Sequence, residues 1–296
     1  MRAPMTKTGI IAAVVAGVVV AGVATALLWP DGGGDDDASP ADTTVVTVVE
    51  STVAESTTPA ETEPEVGGVV AVPEDSTLVA SFASDVPRYV RPDGEPSGEV
   101  AAEWHDRPSI VPVIDQTPGW VQVRLPQRPN GSTAWVRRSD VLLATTPFRV
   151  EIDVATTRLR VFKEGEEILD APVGLGTEDA PTTVGNFFVA FMQEPPDTTS
   201  GWGPFVVVTS SHSETISDFE SSGDAIAAIH GPLGADDEIG DTGAYVSHGC
   251  VRLHLDDLEV LRDLPAGTPI DVIDTGDDAA DSSSPETTPT TESPSD

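Results

Sequence analysis

Only part of this chain can fold. From Asp31 to about Asp75 it is mostly Thr, Glu, Asp, Pro and Ala, as in STVAESTTPAETEPE, and Asp274 to Asp296 has the same character. Segments with few aromatic residues and high net charge cannot bury enough apolar surface to offset their ordering entropy. Both read as solvated spacers, lengthened by self-repulsion. No Lys or Arg occurs from Thr8 to Pro87, and the net charge over 296 residues is -35. That argues against nucleic acid as a partner, because neutralising phosphates is the main source of such affinity. A buried core is therefore confined to about residues 77–274, room for one large domain or two modest ones.

The N-terminus bears on the compartment. Arg2 and Lys7 precede GIIAAVVAGVVVAGVATALLW, and Gly9 to Trp29 is 21 residues with only Thr25 polar. At about 1.5 Å per residue this spans the ~30 Å bilayer core. Positive charge before it and acid after it place residues 1–8 in the cytoplasm, with 9–29 as an anchor and the linker 30–76 outside. A cleaved signal peptide is the rival, since Ala24 to Ala26 (ATA) resembles a small-residue cleavage site, but the run exceeds a usual signal core. The expected location is the cell envelope outside the cytoplasm, anchored in the membrane or secreted after cleavage. Exported proteins usually spend cysteines on disulfides. This one has a single cysteine, Cys250, and cannot form one internally. An exposed spare thiol is an oxidation liability there, which raises the expectation that Cys250 is reactive.

Two strand-rich regions occupy the foldable part. In 77–146, short apolar runs (SIVPVID, GWVQVRLP, TAWVRRSDVL) are broken by turn residues. Val121, Val123 and Leu125 alternate with Gln122 and Arg124, a half-buried strand, and RPNGS (Arg128 to Ser132) is a hairpin turn. Trp104, Trp120 and Trp135 fit core packing or a ligand groove. The runs GWVQVRLP and STAWVRRSDV, with PRYVRPDGEPSG before them, resemble bacterial Src-homology-3-like domains. The resemblance implies a small barrel that binds peptide or cell wall, or serves as a spacer.

In 147–274, FRVEIDV and TRLRVF alternate, TTVGNFFVAFM and PFVVVTS follow, and TPIDVI reads as a closing strand. One helix is predicted near the end: Asp256 as N-cap with Glu259 three later as a capping box, an apolar face of Val260, Leu261 and Leu264, and Pro265 and Gly267 as terminators. Residues 275–296 form the tail.

The chemistry centres on SHGCVRLHLDD, Ser247 to Asp257. A cysteine nucleophile needs its proton removed, and an imidazole adjacent in the fold can do this. Of five histidines, His105 lies in the first region, His212 in a polar loop (TSSHSET) and His254 beside the helix start at the surface. His248, two residues from Cys250, and His230, ending the apolar run IAAIH, remain as candidate bases. Gly249 leaves room for backbone amides near Cys250 to converge as an oxyanion hole. Arg252 could hold a substrate carboxylate or pair with Asp256 or Asp257. His230, His248, Cys250 and His254 are legal zinc ligands, but their spacing matches no familiar paired-ligand pattern, so neither a metal nor a cofactor is expected.

Ser247-His-Gly-Cys-Val-Arg-Leu, with His230-Gly231 upstream, resembles the L,D-transpeptidase (YkuD-type) catalytic domain; His230 precedes Ser247 by 17 positions. VEIDVATTRLRVFKEGEEI is similar to that family's opening hairpin, and APTTVGNFFV, GWGPFVVVTSSHSE and IDVI also fit. The resemblance implies a mainly β, YkuD-type domain with one or two short helices after the small barrel. It implies Cys250 as nucleophile and His230 as general base and acid, with the Gly231 carbonyl orienting the ring. His248 and Gly249 would shape the pocket, Ser247 would support the loop and Arg252 would support loop or substrate. PLGADDEIGDTGAYV between them reads as a flexible flap. The implied reaction cross-links peptidoglycan stem peptides through a cysteine thioester. Two alternatives stay open: an L,D-carboxypeptidase on the same path, and a non-catalytic wall-binding protein.

Overall fold

The computed structural model describes residues 68–195, 199, 201–219 and 222–276. The apolar segment 9–29, the linker to residue 67 and the tail from residue 277 lie outside the described residues. Among the described residues no helix is long and apolar enough to cross a membrane.

The protein is mainly β. The first sheet is built from β1 (Thr77–Ser81), β2 (Val86–Tyr89), β3 (Pro96–Val100), β6 (Ile110–Thr117), β7 (Trp120–Arg124), β8 (Thr133–Arg137) and β9 (Leu142–Thr146); a two-residue ribbon, β4 (Glu103–Trp104) and β5 (Arg107–Pro108), branches from it. Its seven strands run in the order β3-β2-β8-β7-β6-β1-β9, every pairing antiparallel. Short alternating strands joined by tight turns favour this arrangement, because antiparallel neighbours need only a few linking residues. The RPNGS turn joins β7 to β8, with Leu125 N–H donating to Ser132 O (2.9 Å) and Gly131 at φ +79°, a left-handed position suited to glycine. Val121, Val123 and Leu125 are buried as their alternation requires. Trp120 is core, edge-on to Tyr89 (4.8 Å) and covered by Arg137 (4.7 Å), whereas Trp104 and Trp135 are half-buried.

The second sheet has ten strands: β10 (Phe148–Asp153), β11 (Arg158–Lys163), β12 (Glu166–Pro172), β13 (Gly174–Gly176), β14 (Gly185–Gln193), β15 (Val206–His212), β16 (Ile226–His230), β17 (Ala244–Ser247), β18 (Val251–Arg252) and β19 (Pro269–Ile273). Their order is β12-β11-β10-β19-β14-β15-β16-β18-β13-β17. Three pairings are parallel, β10 with β19, β13 with β17 and β16 with β18. The predicted closing strand TPIDVI is β19, inserted between β10 and β14.

Strand β14 joins the two halves. Its GNFFVAFMQ run is apolar on both faces, the pattern of a strand covered on both sides. Phe187 and Val189 enter the core of the second sheet, and Phe188 and Ala190 enter the core of the first. At about 25 cal/mol per Å² of apolar area, each buried Phe contributes roughly 2–3 kcal/mol before entropy is charged against it.

Among the described residues two short helices accompany the sheets, α1 (Asp236–Ile239) and α2 (Leu255–Val260), the latter running into a 3-10 turn at Leu261–Asp263. The predicted capping box does not form. The helix begins earlier, with His254 at the N-cap and no side-chain cap hydrogen bond. Asp256 and Asp257 therefore sit in the first turn, where they complement the helix dipole, and Glu259 pairs with Arg262. The buried face is Leu258, Leu261 and Leu264, with Val260 only partly covered. The segment read as a flexible flap instead carries α1 and buries Ile239 completely.

Candidate active site

Three strands bring the predicted residues together. Strand β18 lies between β16 and β13, and pairs Ile229 with Val251 and His230 with Arg252 in parallel. Cys250 immediately precedes β18, so it stands beside Ala228, and the Ala228 backbone hydrogen-bonds to the thiol. Facing residues of paired strands project to the same side of the sheet. Cys250 and Arg252 from one strand and His230 from the next therefore share a face.

His230 is 1% exposed. Its Nδ1 lies 2.7 Å from the Gly231 carbonyl. A carbonyl only accepts, so Nδ1 carries the hydrogen and Nε2 is left with a lone pair. Burial pushes the imidazole pKa down from 6.5 to about 4; the Arg252 charge adds to this and the Gly231 hydrogen bond opposes it. The ring is neutral at pH 7. The Cys250 thiol is half-buried. Burial raises its pKa, which the Ala228 hydrogen bond and the Arg252 charge only partly offset. The resting pair is therefore thiol and imidazole, not thiolate and imidazolium.

The loop before Cys250 is held from both sides. Buried Ser247 donates from Oγ to Cys250 O (2.6 Å) and accepts from Gly249 N (3.1 Å). Gly249 sits at φ +112°, outside the range side-chain-bearing residues adopt readily, so this turn needs glycine. Thr182 Oγ1 donates to Gly249 O (3.2 Å) and accepts from Gly176 N (2.9 Å), and Thr177 N donates to Ser247 O (3.0 Å). The Gly249 amide is thus spent inside the loop, which removes it from the converging amides expected of an oxyanion hole.

The structure separates the other predicted residues. His248 is exposed, its ring 6.3 Å from Phe219. Arg252 has no carboxylate within ion-pair distance among the described residues, so the expected alternative pairing with Asp256 or Asp257 is absent. Its Nη1 is 3.5 Å from Pro232 O, and its buried Nε has no hydrogen-bond partner among the described residues. His105 is exposed in the first sheet's ribbon. His254 is half-exposed, its Nδ1 3.6 Å from Asp236. His212, read as a loop residue, instead ends β15 and is 2% exposed, because the apolar run PFVVVTS extends to it as one strand. Among the described residues no group of three or more His, Cys, Asp or Glu is placed to hold a metal ion.

Two supporting residues were missed from sequence. Trp202 lies against His230, ring centroids 4.4 Å apart, and its carbonyl accepts from Gly231 N (2.7 Å). A Cβ on Gly231 would come within 2.5 Å of Gly201 O and 2.8 Å of Trp202 C. The glycine beside His230 lets this loop close over the imidazole. The flanking glycines in GWGP were the available signal. Thr182, in APTTVG, carried no signal separable from ordinary strand entry.

Residues 147–272 match the sequence model of the YkuD family, the L,D-transpeptidase catalytic domain. Among solved structures, the chain is similar to an L,D-transpeptidase from Mycobacterium smegmatis (17% identity, covering 52% of this chain and 90% of that one, TM-score 0.33). It is also similar to L,D-transpeptidase 3 from Mycobacterium tuberculosis (16%, 49% and 76%, TM-score 0.33) and to an L,D-transpeptidase from Stackebrandtia nassauensis (19%, 43% and 55%, TM-score 0.30). A search of curated proteins found no match.

Proposed function

We propose that residues 147–274 form a cysteine-dependent L,D-transpeptidase that cross-links peptidoglycan stem peptides. The observation that carries the reading is the parallel β16/β18 pairing, which sets a lone thiol and a buried, neutral imidazole on one face of the sheet. The YkuD match over 147–272 supports it.

In this reading the Cys250 sulfur attacks the carbonyl between the L-centred third residue and the terminal D-residue of a stem peptide. Nε2 of His230 takes the thiol proton as the carbon–sulfur bond forms, and Nδ1–H holds the ring against Gly231 O. Collapse of the tetrahedral adduct breaks the peptide bond, and the imidazolium returns the proton to the departing D-amino acid. The thioester is then opened by an amine of a neighbouring stem, with His230 again taking the proton. Arg252, with its unpartnered Nε, supplies a cation for a stem carboxylate. Ser247, Gly249 and Thr182 hold the loop. The reading places this chemistry in the cell envelope, with the apolar segment 9–29 as anchor.

Intact mass after exposure to a carbapenem tests the thioester path. The wild type should gain one covalent adduct and Cys250→Ala none; a wild type that stays unmodified would leave a wall-binding protein. Incubation with stem tetrapeptides should yield cross-linked dimers, and trimmed monomers alone would make the enzyme a carboxypeptidase.

A further inference from the structure

The turn between β7 and β8 reaches across to the second sheet. Arg128 uses its whole guanidinium: Nε donates to Asp224 Oδ1 (2.9 Å), Nη1 to Ser213 O (2.7 Å) and Nη2 to Ile216 O (3.1 Å). Two residues on, Asn130 pairs with the His212 backbone as a neighbouring strand would, Nδ2 donating to His212 O (2.7 Å) and Oδ1 accepting from His212 N (3.0 Å). Asp224 also lies 2.9 Å from His212 Nδ1. Burial alone would raise the Asp224 carboxyl, but the Ala225 amide, Arg128 and His212 outweigh it and hold its pKa below the usual range.

These contacts land where the ladder of the second sheet is interrupted by a register shift. Strand β15 pairs with β16 at Val207–Ile229 and Val208–Ala228, then shifts register before His212–Ile226. On its other side β16 meets only the two residues of β18. The start of β16 therefore has few ladder bonds, and Ser213 N to Ala225 O (2.8 Å), Phe219 N to Asp224 O (2.9 Å) and Thr209 Oγ1 to Ala227 O (2.7 Å) help close the connection there. Arg128 and Asn130 grip both limbs of that connection. Four residues further along β16 stands His230, and between them Ala228 bonds the Cys250 thiol. Phe219 of the same connection faces His248.

We propose that Arg128 and Asn130 are positioning residues of the active site: the first sheet fixes the start of β16, and through it the placement of His230 against Cys250. This rests on the Cys250–His230 chemistry above. A spacer or wall-binding module has no need of a guanidinium fork on the neighbouring sheet. The fork suits Arg and not Lys, which offers one charge without the planar set of donors.

The test uses the full-length protein. Arg128→Ala, Arg128→Lys, Asn130→Ala and Asp224→Asn are compared with wild type for carbapenem acylation, for the pH dependence of Cys250 alkylation by iodoacetamide, and for thermal unfolding. Arg262→Ala, which breaks the exposed ion pair with Glu259, serves as control. Arg128→Ala should slow acylation at saturating carbapenem on the order of 10- to 100-fold, since small misplacements of reacting groups are costly. The half-saturating concentration should change little, and the alkylation profile should shift. Arg128→Lys should restore only part of the rate. A lowered unfolding temperature with unchanged acylation and unchanged alkylation profile would overturn the proposal and leave the contact as a structural tie. Should Arg128→Ala not fold, Asp224→Asn removes the same charge partner isosterically and is read the same way. A wild type inert to carbapenem, with an alkylation profile that still shifts in Arg128→Ala, would sink the transpeptidase reading while supporting the positioning role; no shift would sink both.

Discussion

At one end of the β15–β16 pair, His230 is buried with Nδ1 2.7 Å from a backbone carbonyl; at the other end, His212 is as deeply buried with Nδ1 2.9 Å from the carboxylate of Asp224. Both close an apolar strand. The partner makes the difference. Burial, with a guanidinium nearby, keeps the His230 imidazole uncharged although the Gly231 carbonyl pulls the other way, and that carbonyl holds Nδ1–H so that Nε2 carries the lone pair. The carboxylate next to His212 belongs to a cluster with Arg128 of the first sheet. Burial alone does not distinguish the two histidines; the group beside Nδ1 does, a backbone carbonyl at His230 and a carboxylate at His212.

The contrast can be broken at several points. The largest effect is expected at the His230 end, where Cys250→Ala should abolish carbapenem acylation and His230→Ala should lower its rate about 10²- to 10⁴-fold. His212→Ala should lower the unfolding temperature more than it lowers acylation. Equal acylation losses in the two histidine variants would erase the distinction drawn between them.

Next in size is the shared strand. Phe188→Ala should cost about 3–5 kcal/mol in denaturant unfolding, because it empties a site that is 1% exposed and lies in the core of the first sheet. One transition in both wild type and variant would mark the two sheets as a cooperative unit.

The third effect is a pH dependence. The His230 pKa is depressed from 6.5 to about 4, so between those values the unfolded chain binds more protons than the folded one. This contribution to stability is complete above about pH 6.5 and is lost as pH falls toward 4, about 3 kcal/mol in all. Urea titrations from pH 7 to 4 should show that slope, and it should vanish in His230→Gln. A slope that survives the substitution would put its origin in the carboxylates.

The smallest effect concerns the loop. Ser247→Ala removes a hydroxyl with two backbone partners and should destabilise by about 1–3 kcal/mol. It should slow acylation more than that loss explains, as measured by single-turnover rates well below the unfolding temperature.

Much of this was legible in the sequence. Period-two alternation located β7, β10 and β11, the NG turn located the β7–β8 hairpin, and a lone cysteine in SHGC with His230 upstream located the candidate site. These signals are local, since they depend on residues a few positions apart. What was missed depends on contacts between distant residues. Arg128 and Asp224 are 96 positions apart, and no feature of RPNGS announces that its arginine leaves its own sheet. The GNFFVAFM run read as a strand, but its division between two cores appears only when both sheets are present. The helix start was misplaced because Asp256 is a good cap by residue type, while Leu255 had already entered the helix.

The sequence by itself determined where a core could form and which groups could react, because composition and short-range period decide burial, and only one thiol exists to choose. The tertiary structure decided which imidazole shares a sheet face with that thiol. Parallel pairing of β16 with β18 sets His230 and Cys250 on one face, while His248, two residues from the cysteine, turns out to solvent. That choice comes from strand register, which residues remote in sequence establish together.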